Sequence, residues 1–242
     1  MTAHDDGPKL RETVAAACRV LARRGLVDGI LGHVSARVAE DELVIRCRGG
    51  NSERGLARTG PGDVWRVDID GRPIDLPDGY QPPKELPIHA ELMRARPEVG
   101  AVIHAHPPAA LLAGLAGLTP RPVFGAYNIP ALRLALDGVP VFDNASLITN
   151  RELALELLAA MEERSVCLMH GHGITAAAET VEQATVLAVN LEALLSVTVE
   201  LARLGATPRE LTATELAALP DLGSSFNDQL VWQALLAEAD GD

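Results

Sequence analysis

Apolar and polar positions along the chain switch between two periods. In "LRETVAAACRVLARRGL" (10–26) the apolar residues recur at helical spacing, with Gly25 as a stop. "GHVSARV" and "ELVIRC" alternate as paired strands, and "RGGNSERGLARTGPGD" is a Gly-rich loop before the strand "VWRVDI". "DIDGRPI" predicts a turn. After the Pro-rich "DGYQPPK", a helix begins near Glu85 and runs to about Arg96, "EVGAVIHAH" is a strand, and "PPAALLAGLAG" opens a helix with Pro in its first turn. "IPALRLALDG" reads as a short helix, "VPVF" as a strand, and "TNRELALELLAAMEER" as a helix with Thr149 and Glu152 at capping-box spacing.

The last third sharpens the architecture. "SVCLMHGHGITAA" is a buried strand, a turn at Gly171–Gly173 and a returning strand, leading into the amphipathic helix "TVEQATVLAVNLEALLSVTVELARLG" (180–205). Two shorter helical stretches form a tail over about 206–242, with "LPDLGSSFND" between them. Neighbouring strands joined by tight turns exclude a purely parallel sheet, so the expectation is an α/β protein whose mixed or mostly antiparallel sheet is covered by helices. No linker interrupts the 242 residues, which predicts one large domain over 1–242.

Composition narrows the partners. With 48% hydrophobic but only 3% aromatic residues, the core must be built mainly of Leu, Val, Ala and Ile. The formal charge of −12 would repel a phosphate backbone or an anionic membrane, so neither nucleic acid nor membrane is expected as a partner. Cys18, Cys47 and Cys167 lie far apart without C-x-x-C spacing, which fits a reducing cytoplasm rather than a disulfide framework or a thiolate zinc site, and Cys47 and Cys167, flanking apolar strands, read as core thiols. The N-terminal "MTAHDDGPKL" is acidic where a signal peptide is basic, and the longest uninterrupted apolar candidate, "AALLAGLAGL", is shorter than a membrane span.

The candidate chemistry lies in three short segments. In "GAVIHAHPPAALL" (100–112) His104 and His106 are two apart, which in an extended strand sends both imidazoles to one face. "MHGHG" offers His170 and His172 at a glycine turn, and "PPKELPIHAEL" places Glu85 and His89 i, i+4 on one helical face. His104, His106, one of His170 and His172, and Glu85 together make three neutral nitrogens and one carboxylate, a set that zinc, manganese or ferrous iron can use. Each alone has an ordinary structural use: a hydrogen-bonded strand-end histidine, a carboxylate at a helix start, a solvated Lys84, a loop Arg48.

Taken in order, E-x₃-H, H-x-H and HG resemble the class II aldolase/adducin family, which includes fuculose-phosphate aldolase and ribulose-phosphate 4-epimerase. The resemblance runs from "GHVSARV" through "KELPIHAELMRARPEVGAVIHAHP" to "MHGHGITAAAETVEQA". It implies a three-layer α/β/α fold around a mainly antiparallel sheet, and a homotetramer with its active site at a subunit interface. It implies one divalent metal ion held by His104, His106 and His172, and Glu85 as a catalytic acid/base that can also coordinate the resting metal. His170 precedes the matched ligand position.

Departures from the family pattern point to the substrate. Sugar-phosphate members hold phosphate with an Asn in "G-N-x-S", a Thr-Gly pair and a Ser-Ser pair; here the matching places read "GHVS" with His33, "RCRGG" with Cys47 and Arg48, and "PKE" with Pro83 and Lys84. Cations and longer donors replace hydroxyls, which suits a small anionic substrate, a carboxylate or phenolate, held by Arg48, Lys84 and His33. The epimerases' Asp after H-x-H has no counterpart before Asp137. The loop "RCRGG…GLARTGPGDV" and "PKELPIH" resemble the branch containing dihydroxyphthalate-type aromatic decarboxylases. The resulting expectation is a metal-dependent carbon–carbon lyase, foremost a decarboxylase of an ortho-hydroxylated aromatic carboxylate acting through an enolate. An aldolase on a hydroxy acid, keto acid or sugar phosphate, a mononuclear iron oxygenase, and a non-catalytic adducin-like interaction domain follow in that order.

Overall fold

The computed structural model of the chain describes residues 7–49, 53–223 and 225–241. The reading of the first six residues, and of 50–52 in the Gly-rich loop, lies outside the described residues. The chain runs through α1 (Gly7–Arg23), β1 (His33–Ala39), β2 (Glu42–Arg46), β3 (Val64–Asp68), α2 (Leu86–Ala95), β4 (Ala101–Ala105), α3 (Pro108–Leu115), α4 (Ile129–Asp137) and β5 (Val141–Phe142). It continues through α5 (Arg151–Met161), β6 (Val166–Met169), β7 (Gly173–Ala178), α6 (Val181–Arg203), α7 (Ala213–Ala218) and α8 (Trp232–Asp240).

The seven strands form one sheet in the order β3-β2-β1-β4-β7-β6-β5. Only the β5–β6 pair is parallel; every other neighbour is antiparallel, as the tight turns require. Alternation divides the strand side chains between two cores. Ile103, Ala105, Leu168, Ile174 and Ala176 pack with α1, α3, α4 and α6, while Val102, Cys167, Met169 and Ala177 pack with Leu86–Met93 of α2 and Ala154, Leu157 and Met161 of α5. The three-layer α/β/α expectation is thus the observed architecture, and all three cysteines are buried free thiols within it.

Several local expectations shift. The first helix ends at Arg23, and Gly25 takes φ +74° in the turn that follows. α5 is capped by Asn150, whose side chain accepts from Leu153 N at 3.0 Å, rather than by Thr149 in a capping box, because the helix starts one residue later and puts Asn150 at the N-cap. Thr180 and Gln183 supply a complete capping box to α6. In the tail, part of "LPDLGSSFND" is itself helical, a π-turn segment at Ser225–Val231 running into α8. α6 is long and apolar enough to cross a membrane by length and composition alone, but half of its most apolar stretch is buried inside the protein. Its apolar length serves the core.

Candidate metal centre

The centre is assembled where β1, β4 and the β6–β7 turn meet the start of α2. His33 lies opposite His104 in the antiparallel β1–β4 register, and His104 opposite Thr175 of β7. These positions share the sheet face covered by α2, so the imidazoles of His33 and His104 point at the helix that carries Glu85 and His89. His106 follows β4, its backbone N–H held by the Leu26 carbonyl at 3.0 Å. Gly173 allows β7 to close against this segment: a Cβ there would sit 2.2 Å from Ala105 O and 2.9 Å from His106 Cδ2.

Glu85 occupies the N-cap position of α2 but does not cap it; its side chain turns inward. Oε1 accepts from the Ile148 N–H at 3.1 Å and lies 3.5 Å from His172 Nε2. Oε2 lies 3.4 Å from His104 Nε2 and 3.7 Å from His33 Nε2. His104 Nδ1 is held by the Ile174 carbonyl at 3.0 Å, which leaves its Nε2 facing the cluster, 2.8 Å from His106 Nε2. One ligand atom from each of Glu85, His104, His106 and His172 falls within 4.8 Å of the other three. That donor set, three imidazole nitrogens and a carboxylate converging from three elements, fits a divalent cation such as zinc, manganese or iron.

Electrostatics favour the same use. Burial alone would raise the Glu85 carboxyl, yet the approaches of His104, His172 and His33 outweigh it and hold the group well below the usual carboxylate range. Burial lowers His106 to about 3, with the neighbouring His104 and His172 adding to the effect, and lowers His33 to about 4. A neutral His106 beside the ionised Glu85 can bind a cation without first losing a proton.

The other sequence candidates divide. His33 is 2% exposed and stacks at 5.0 Å from His104, so it belongs to the cluster. Arg48 is half-buried, donates to the Ile30 carbonyl at 3.3 Å, and bridges its backbone to Gln81; its charge also depresses His33. Lys84 is not brought to the cluster: its side chain is exposed and lines a separate cavity with Asp70, Glu91, Arg94 and Arg151. Glu85 turns inward from the next position, so adjacent residues at this helix start face opposite ways. His170 leaves the cluster too and lies 3.9 Å from Asp143. Sequence reasoning missed the Ile148 amide, which carries no side-chain signal, and the part played by Ser35 and His89. The i, i+4 spacing of Glu85 and His89 was the available clue.

Known proteins resemble the chain in both sequence and structure. The chain is 50% identical over 230 residues to "3,4-dihydroxyphthalate decarboxylase" from Arthrobacter keyseri, covering 94% of this chain and 92% of that one. It is 46% identical over 232 residues to the protein of the same description from Rhodococcus jostii (strain RHA1), covering 95% of each. In structure it matches an aldolase II superfamily protein from Pseudomonas syringae with a TM-score of 0.81 at 22% identity, over 99% of this chain and 95% of that one. L-fuculose 1-phosphate aldolase from Glaciozyma antarctica PI12 matches with a TM-score of 0.78 at 17% identity, over 100% of this chain and 94% of that one. Residues 12–199 match the profile described as "Class II Aldolase and Adducin N-terminal domain", and the chain belongs to the class II aldolase and adducin family.

Proposed function

We propose that this lyase releases CO₂ from an ortho-hydroxylated aromatic carboxylate of the 3,4-dihydroxyphthalate type, using one divalent metal ion held by His104, His106 and His172. The observation that carries the reading is the coincidence of two facts: the Glu85–His104–His106–His172 cluster, and 46–50% identity to three decarboxylases of that description over more than nine tenths of the chain.

When bound, the cation would supply an electron sink for the charge released as the carbon–carbon bond breaks. The chain's own residues do the rest. Arg48 and the buried His33 offer hydrogen-bond donors for a spectator carboxylate or phenolate, in the places where sugar-phosphate members carry hydroxyl and amide groups. Glu85, pinned by the Ile148 amide, takes the phenolic proton on a carboxylate oxygen and returns a proton to the ring carbon that loses CO₂. The carboxylate carbon leaves with two oxygens, its bonding pair stays on the ring, and one proton replaces it. Lys84, turned to a different cavity, has no part in this scheme.

A cytoplasmic homotetramer is the proposed assembly. Leu111, Leu112 and Leu115 on α3, immediately after His106, are exposed and offer an apolar surface beside the site that a second copy can cover. The functional test is an anaerobic screen of the metal-loaded protein against aromatic and aliphatic hydroxy acids, following CO₂ and aldehyde separately. CO₂ from ortho-hydroxylated aromatic acids without aldehyde is the expected result. Aldehyde release would make it an aldolase, and strict dependence on oxygen would make it an oxygenase.

A further inference from the structure

Behind the metal cluster lies a buried chain of polar side chains of which the scheme above uses only the end, His33. Ser35 Oγ is 2.6 Å from His89 Nδ1, and His89 Nε2 is 2.7 Å from His33 Nδ1. His33 Nε2 then faces Glu85 Oε2 at 3.7 Å. Ser35 and His89 are 0% exposed and His33 2%. Two imidazole nitrogens facing each other at hydrogen-bond distance hold one hydrogen between them, so the chain has two possible registers. In the first, the Ser35 hydroxyl donates to His89, His89 Nε2–H donates to His33, and the hydrogen of His33 sits on Nε2. In the second, every link reverses and His33 turns a bare lone pair toward Glu85.

Two observations oppose each other here. His89 also makes a backbone hydrogen bond with Val102, which would favour the second register if the hydrogen it uses is the one on Nδ1. Against it, the second register sets a lone pair against an ionised carboxylate. It also leaves the Ser35 hydroxyl hydrogen with no other hydrogen-bond partner among the described residues. An N–H dipole pointing at the anion is attracted where a lone pair is repelled, and the Ser35 hydroxyl is satisfied as well, so the first register wins. At 3.7 Å the Nε2–H is aligned by Glu85 without being fully engaged by it, which leaves it available to an incoming oxygen.

We propose that His89, set by Ser35, is a positioning residue that fixes the hydrogen of His33 on Nε2, so that His33 meets the anionic oxygen of the substrate as a donor. Only the identity of that oxygen rests on the decarboxylase reading; the tautomer does not. The test is imidazole ¹⁵N NMR of the full-length metal-free and zinc-loaded protein, beside kcat and KM for the aromatic carboxylate. In the wild type, His33 is expected to show a protonated Nε2 and a bare Nδ1. His89→Phe should give mixed His33 tautomers and a kcat/KM about 10–100-fold lower. His89→Gln, whose amide can still donate to His33 Nδ1, should recover most of both. Should His89→Phe not fold, Ser35→Ala carries the same readout and is expected to shift the tautomer in the same direction. A protonated Nδ1 on His33 in the wild type overturns the proposal, as does an unchanged tautomer in both His89→Phe and Ser35→Ala. If the tautomer is as expected and no aromatic acid releases CO₂, the decarboxylase reading fails and this one stands.

Discussion

Two H-x-H segments with identical spacing behave differently. In "HAH" the backbone around His104 is extended strand, and both imidazoles reach the cluster, their Nε2 atoms 2.8 Å apart. In "HGH" the central Gly171 takes φ +60°, and the flanking rings part: the His172 side chain is 11% exposed and faces Glu85, whereas His170 is 39% exposed and lies near Asp143. The i, i+2 rule holds for a strand and lapses at a turn, because one left-handed residue rotates everything beyond it. A ligand motif therefore has to be read together with the backbone it sits on.

The strongest way to break this contrast is to remove one histidine at a time. His104→Ala and His172→Ala should each lose most bound metal and at least about 10³-fold in kcat/KM, while His170→Ala stays within about twofold. Metal analysis of the purified variants, alongside turnover, checks it. If His170→Ala loses metal and His172→Ala does not, the two roles have been exchanged.

Next in size is the division between Glu85 and Arg48. Glu85→Gln keeps the shape and the Ile148 contact but removes the proton carrier, so kcat should fall about 10²–10⁴-fold with metal largely retained. Arg48→Ala should mainly raise KM, by about tenfold, since it holds a spectator group equally in ground and transition states. Steady-state kinetics at saturating substrate separate the two. The opposite pattern would place Arg48 in the chemical step.

The glycines of the turn give a smaller contrast, read through stability. At Gly173 an added methyl meets Ala105 O at 2.2 Å, so Gly173→Ala should cost about 2–3 kcal/mol and lower Tm by about 5–10 °C. At Gly171 the nearest atom would be 3.5 Å away, so Gly171→Ala carries only the left-handed penalty of about 1–2 kcal/mol. Thermal melts of both variants rank them. Equal losses would mean that the close approach of β7 to β4 stores no constraint.

The smallest expected effect is on pH dependence without metal. His33 is lowered from 6.5 to about 4 and His106 to about 3, so the folded chain binds fewer protons than the unfolded chain in this range. Their neutral state therefore lets the fold keep its full stability above about pH 6.5, and that stability drains away as the pH falls toward 4. The depressed Glu85 adds a further loss below its ordinary value of 4.5. Melts of the metal-free protein between pH 7 and pH 5 should show Tm falling by about 4–8 °C, roughly 2 kcal/mol. A flat profile would show that these histidines are solvated.

Much of this was legible in the sequence because it depends on short-range pattern. The strand pairs and the α2 and α6 helices follow from periodicity, Glu85 with His104, His106 and one of His170 and His172 from the motifs, and the choice of His172 from the resemblance to the class II aldolase/adducin family. What stayed hidden depends on side-chain direction and distant register. Lys84 and Glu85 are neighbours in sequence but face opposite ways at the start of α2. Ser35 looked like one polar position in an alternating strand, and only its register opposite Val102, under α2, brings it to His89. The Ile148 amide reaches Glu85 from 63 residues away, and a backbone group leaves no mark in a sequence.

The central claim is that the buried histidine–carboxylate cluster is a metal centre on which decarboxylation depends. It is tested most directly by CO₂ release from 3,4-dihydroxyphthalate under anaerobic conditions, measured on metal-stripped protein before and after titration with one divalent ion per subunit. Activity should be absent at the start, rise linearly and saturate at one ion per chain, with one CO₂ for each substrate consumed. Full activity in the stripped protein, or saturation without any CO₂, would contradict the account.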